Sequence, residues 1–175
     1  MDAPITNTTT ETLRFAFGET TLGAIVVAQS ERGVAAILIG DDQDRLRRDL
    51  REAFPIAKLV NSQEDLAAVV EKAVALVNAP HVKTDLVLDL RGSALELAVW
   101  EALQAIPAGE TRSYGAIAKV LPIAATAQDV GAACAANRVA IAVPCHRVVK
   151  ADGSISGYRW GVPRKRRLIN MEGVA

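Results

Sequence analysis

Histidine and cysteine are scarce in this chain, with two of each in 175 residues. Cys134 and Cys145 with His81 and His146 cannot build a paired Cys/His zinc site of familiar spacing, so no metal is expected. A disulfide between the two cysteines is arithmetically open, yet a cytosolic chain keeps both reduced. Apolar runs of membrane-spanning length are also missing. The start, Met1-Asp2-Ala3-Pro4, lacks the basic and apolar regions of a secretory signal, so a cytoplasmic protein without membrane contact is expected. Net charge is absent as well, at 20 basic against 20 acidic residues, which taken alone argues against a dedicated nucleic-acid binder.

What is present is a soluble globular composition, 50% hydrophobic and 23% charged, long enough to bury a real core as one domain or two small ones. The zero net charge hides an asymmetry. From residue 91 onward eleven basic residues face six acidic ones, leaving +5 there and −5 in the first 90 residues. Such polarity suits a basic, partner-facing half joined to an acidic supporting half.

Residues 1–11 are rich in Thr and Asn and read as a disordered tail. Residues 12–91 read as an α/β unit. Leu13 to Phe17, Leu22 to Val27 and Gly33 to Ile39 are three short strands separated by glycine-containing turns. Asp41-Asp42 opens a helix that Pro55 stops. Glu64 to Val77 is a second amphipathic helix, and Pro80 to Leu90 is extended.

The character changes near residue 92, where a second domain, 92–175, begins. Ser93 caps a helix running to Ala105. Ser113 starts a short helix, Tyr114 to Leu121, that Pro122 ends, and a small-residue helix follows from Ala125 to Ala136. Two short helices joined tightly fit a helix-turn-helix. Val139 to Val143 reads as a buried strand leading into Pro144-Cys145-His146-Arg147-Val148-Val149. Asp152-Gly153 signals a hairpin, a wing beside the helices. Pro163 starts a final helix through Met171, whose first turn carries Arg164, Lys165, Arg166 and Arg167; an anionic partner would explain cations opposing the macrodipole.

Free cysteines are usually buried small hydrophobes, but a thiol beside an imidazole is the common arrangement for a nucleophilic thiolate. Ile106 to Gly115 (IPAGETRSYG), Asn137, Pro144 to Val149 (PCHRVV) and Gly153 to Gly161 (GSISGYRWG) together resemble the O6-alkylguanine-DNA alkyltransferases, also called methylated-DNA–protein-cysteine methyltransferases. The likeness is greatest to the C-terminal repair domain of Ada-type proteins. It covers residues 88–175 strongly and 13–77 in outline.

The resemblance implies an α/β fold: a ribonuclease H-like N-terminal α/β domain and a mostly helical, winged helix-turn-helix-like alkyltransferase domain. It also implies direct-reversal repair without a cofactor, by a monomer acting on double-stranded DNA that carries O6-alkylguanine. Cys145 would take the alkyl group irreversibly, with His146 deprotonating it through a water and Glu172 orienting the imidazole. Tyr114 would protonate or hydrogen-bond the departing guanine, and Asn137 would brace the cysteine turn. Val148, Cys134, Ser156, Gly157, Tyr158 and Arg159 would form the pocket, with the backbone at Cys145 and Val148 reading the base edge. Thr111, Ser113, Ala127, Gln128 and Arg138 would contact DNA, and the base would leave the stack from the minor groove.

At one position the sequence departs from that family. An arginine that replaces the extruded base is expected early in the recognition helix, where this chain has Gln128 followed by Asp129. Glutamine lacks the charge and stacking plane of a guanidinium, so weakened DNA engagement with intact transfer chemistry is expected. The alternatives are a lesion-binding protein without transfer, the regulatory domain of an Ada-type transcription factor, and a Cys-His hydrolase. Cys145 disfavours the first, and no orienting Asn/Asp signature supports the last.

Overall fold

The computed structural model describes residues 10–173, so the expected tail lies outside them apart from Thr10 and Glu11. Glu11 is tied down. Arg91 donates to both its carboxylate oxygens at 2.6 Å, and its carbonyl accepts from Lys58 N.

Three strands, β1 (Thr12–Thr20), β2 (Gly23–Gln29) and β3 (Val34–Gly40), form antiparallel neighbours, and β4 (Lys58–Asn61) adds to β1 in parallel. The sheet order is β3-β2-β1-β4. Every residue of β3 is buried, as a continuous apolar run requires when both sheet faces are covered. The covers are α1 (Gln43–Ala53) and α2 (Ala67–Asn78). A Cβ at Gly18, which pairs with Ile25, would meet Val70 and Val74 of α2; one at Gly40, which pairs with Ala24, would meet Leu46 of α1. Ile25 and Ala24 alternate across the sheet, so the two helices lie on opposite faces. Asp42 caps α1 by accepting from Arg45 N at 2.8 Å.

The free edge of β3 is where the second half of the chain attaches. Val34 N donates to Val87 O and Asp89 N to Val34 O; further along, Ile37 N donates to Arg138 O and Ala140 N to Ile37 O. A bare strand edge is thereby capped by the segment that leads to Cys145.

The C-terminal half is built on α3 (Ala94–Gln104), α4 (Tyr114–Val120), α5 (Ala127–Ala136) and α6 (Val162–Met171), with a small parallel pairing of β5 (Arg112–Ser113) and β6 (Val148–Val149). Ser93 and Glu96 close a capping box at the start of α3. Trp100 Nε1 donates to Ala133 O at 2.9 Å and locks α3 to α5. None of the described helices is long and apolar enough to cross a membrane.

Three expectations need correction. Val139 to Val143 is not a strand: Ile141 takes φ 67°, and Ala142 N and Val143 N bond back to Ala140 O and Val139 O in successive tight turns. The Asp152-Gly153 turn does form, with Lys150 N on Ser154 O, but no hairpin grows from it because β6 pairs with β5. The cations of α6 are only partly available to a partner. Lys165 is wholly buried, and Arg164 bonds Asp41, Leu22 O and Trp160 O.

Candidate active site

The successive turns at 139–147 deliver Cys145, His146 and Arg147 as one turn of 3-10 helix, all three buried. Ile141 is a β-branched residue in left-handed backbone, a costly conformation that its surroundings must enforce. Asn137, which ends α5, is the brace. Its Nδ2 donates to Val143 O at 3.0 Å and to Cys145 Sγ at 3.3 Å, while its Oδ1 accepts from Val139 N.

Burial pushes the Cys145 thiol up; the Asn137 bond and the nearby charges of Lys165 and Arg159 act in the opposite direction. His146 is fully buried, and that desolvation holds its imidazole below the usual range despite the adjacent carboxylate. Its Nε2 lies 2.5 Å from Glu172 Oε1, and its Nδ1 has no protein partner among the described residues.

Glu172 receives more than the imidazole. Arg147 donates from Nε and Nη2, and Gly109 N donates at 3.3 Å. Burial would raise this carboxyl, but the bonds from His146 and Arg147 carry it down to about 2. The rest of the Arg147 guanidinium reaches Ile106 O at 2.8 Å and Pro80 O at 3.3 Å. Arg147 and Lys165 were not singled out as site residues by sequence. Arg147 adjoins the Cys-His pair, and Lys165 shares the inward spacing of Leu168 and Glu172 along α6.

A cleft of about 330 Å³ opens on Cys145, lined by Tyr114, Gly131, Cys134, Ala135, Gly157, Tyr158 and Arg159. Clefts of about 540 and 570 Å³ lie elsewhere and do not reach the thiol. Tyr114 stands at the start of α4, behind its cap Ser113, and its hydroxyl hydrogen-bonds Ser156 Oγ. Burial pushes that phenol up. Arg159 anchors to Asn137 O at 2.8 Å.

The structure therefore gathers Cys145, His146, Glu172, Asn137, Tyr114, Cys134, Gly157, Tyr158 and Arg159 around one centre. Val148 and Ser156 stand just behind the cleft, and both are held by Lys165. Thr111 precedes β5 and Ser113 ends it, while Ala127 and Gln128 are exposed on the first turn of α5. Arg138 is half-buried, its guanidinium 5.3 Å from the Phe54 ring at the end of α1. Asp129 is turned to its own helix: its carboxylate accepts from Thr126 N at 2.9 Å, and Thr126 Oγ1 accepts from Asp129 N.

Residues 94–174 match the family model described as the DNA-binding domain of 6-O-methylguanine DNA methyltransferase. The methylated-DNA–protein-cysteine methyltransferase of Candida albicans is 38% identical over 121 residues, 69% of this chain and 68% of that protein. This chain belongs to the O6-methylguanine-DNA methyltransferase family. Another relative, the bifunctional transcriptional activator/DNA repair enzyme Ada of Escherichia coli K12, is 43% identical over 160 residues. That alignment takes in 91% of this chain but 45% of Ada, so the chain spans less than half the length of this relative. The Mycobacterium tuberculosis OGT structure in complex with DNA superposes with a TM-score of 0.75 at 31% identity, covering 91% of this chain and 92% of that one. The methyltransferase fold thus extends through both halves of the molecule.

Proposed function

We propose that this protein repairs DNA by direct reversal, moving an alkyl group irreversibly from O6 of guanine in duplex DNA to Cys145. The observation that carries this reading is the Cys145 thiol at the cleft, hydrogen-bonded by Asn137 and followed by a His146-Glu172-Arg147 network. SN2 attack on an alkyl carbon needs a thiolate, and burial keeps both Cys145 and His146 neutral at rest. The Nδ1 of His146, without a partner among the described residues, suits a water that passes the thiol proton to the imidazole. The Glu172 carboxylate then stabilises the imidazolium, as a buried acid in a base-orienting role does.

Bond by bond, S–C forms as C–O6 breaks, and the electron pair stays on guanine. Tyr114 then supplies a proton to the departing purine. The thioether product does not hydrolyse, so each molecule acts once. For the base to reach Cys145 it must rotate out of the duplex into the cleft. Small residues at Gly131, Ala132 and Ala135 on α5 favour close approach to DNA, and Gln128 stands where the family carries an arginine, which would weaken engagement. Ala127, Ser113 and Thr111 would contact the backbone. The N-terminal sheet would take the ribonuclease H-like role, with the helices α4 and α5 the helix-turn-helix. One chain supplies every group of the site, which suits a monomer, and a repair protein would work beside the DNA in the cytoplasm.

The test is to count methyl groups removed from a duplex carrying one O6-methylguanine, by nucleoside analysis with the duplex in excess. The reading predicts at most one methyl lost per protein molecule and none with Cys145→Ala. Binding without loss would favour a lesion-binding protein, and methyl transfer coupled to promoter binding an Ada-type regulator.

A further inference from the structure

Lys165 is buried completely, yet among the described residues no carboxylate pairs with it. Burying an ammonium is costly unless its protons are used. Here they reach Val148 O at 2.5 Å, Ser156 Oγ at 2.9 Å and Gly157 O at 3.3 Å. Two of these contacts hold the wall of the cleft to β6 and explain a purely structural lysine. The third does more, because Ser156 Oγ also bonds the Tyr114 hydroxyl. An unbroken chain, Lys165 Nζ to Ser156 Oγ to Tyr114 OH, therefore runs from a buried cation to the cleft.

The transfer chemistry has two proton demands on opposite sides of the reacting carbon. His146 takes the thiol proton on one side, and the guanine must gain one on the other. Burial holds the Lys165 ammonium below the usual lysine range, which favours its giving up a proton. We propose that Lys165 and Ser156 form a relay that re-protonates Tyr114 as guanine departs, Ser156 acting as the positioning residue between donor and phenol. This deepens the repair reading above and rests on it. As S–C forms and C–O6 breaks, the Tyr114 proton moves to a guanine ring nitrogen. The Ser156 proton moves to Tyr114, and a Lys165 proton moves to Ser156. Lys165 ends as a neutral amine and His146 as an imidazolium beside Glu172, so the charge of the site is unchanged.

The test compares two alkyl donors that differ in the need for a proton. O6-Benzylguanine releases a purine that must be protonated, whereas iodoacetamide releases iodide, which needs none. Rates of Cys145 modification are read by peptide mass for the native protein, Ser156→Ala and Ser156→Thr. The ratio of the guanine rate to the iodoacetamide rate falls about ten- to a hundredfold in Ser156→Ala, the scale of a lost general-acid path. Ser156→Thr, which keeps the hydroxyl, restores it. A ratio unchanged in Ser156→Ala overturns the relay. Native protein that takes iodoacetamide but removes no methyl group from an O6-methylguanine duplex overturns the repair reading, and the relay with it.

Discussion

Arg147 holds the Glu172 carboxylate across 25 positions of sequence, its Nε 3.0 and 3.2 Å from the two oxygens and its Nη2 3.0 Å from one of them. The same carboxylate meets His146 Nε2, so one buried anion is shared by a fixed cation and the imidazole proposed as general base. Arg147 also satisfies Ile106 O and Pro80 O, which ties the catalytic turn to the end of α3 and to the loop after α2.

Removing one partner of such a pair leaves a buried charge uncompensated. Arg147→Met is expected to destabilise the protein by roughly 3–5 kcal/mol, measured by urea unfolding. The double variant Arg147→Met with Glu172→Gln recovers part of that loss. If the single variant costs nothing, the pair is not structural.

Glu172 also sets an acid limit on stability. Its folded carboxyl is lowered from 4.5 to about 2, so the unfolded chain binds its proton first. The stabilisation is present above pH 4.5 and disappears as pH falls through about 2, amounting to about 3 kcal/mol over that window. Glu172→Gln is expected to flatten this limb in a series of denaturation curves from pH 6 downward.

Asn137 joins the end of α5 to the thiol. Asn137→Ala leaves Val139 N and Val143 O without their partner, at roughly 1–3 kcal/mol for each buried group left unsatisfied. It also removes the hydrogen bond that favours the thiolate, so iodoacetamide should modify Cys145 more slowly at fixed pH. Unchanged stability and reactivity would exclude the bracing role.

Under the proposed function, the first turn of α5 separates DNA engagement from chemistry. Gln128→Arg is expected to raise the repair rate on duplex DNA while leaving that on free O6-benzylguanine unchanged; equal gains on both would refute the idea. Asp129 is not free to be replaced at will, because it caps its own helix with Thr126. Asp129→Asn keeps a capping oxygen and removes the charge, so DNA affinity should rise at little cost in stability, whereas Thr126→Ala should cost about 1 kcal/mol.

Much of this was legible in the chain because local signals agreed with the fold. The three long strands, the Asp42 and Ser93 caps and the Pro163 helix start all follow from residues acting within one turn of themselves. The misses were non-local. Lys58–Asn61 becomes a strand only because β1 offers a parallel partner. Val139 to Val143 has the composition of a strand, yet β3 accepts only its first residues and the chain must turn to place Cys145. Val148–Val149 pairs with a segment 36 positions earlier rather than with its own turn. Lys165 and Arg147 look like surface cations because their partners, backbone carbonyls together with the Ser156 hydroxyl and the Glu172 carboxylate, lie outside their own helical turn, where local sequence does not mark them.

The central claim is that Cys145 is a single-use alkyl acceptor. Incubation with duplex DNA bearing one O6-methylguanine, followed by intact mass and peptide mapping, tests it directly. A gain of one methylene per protein molecule, confined to the Cys145 peptide and absent from Cys134, is the predicted result. An unchanged mass in a protein that still binds the duplex would contradict it.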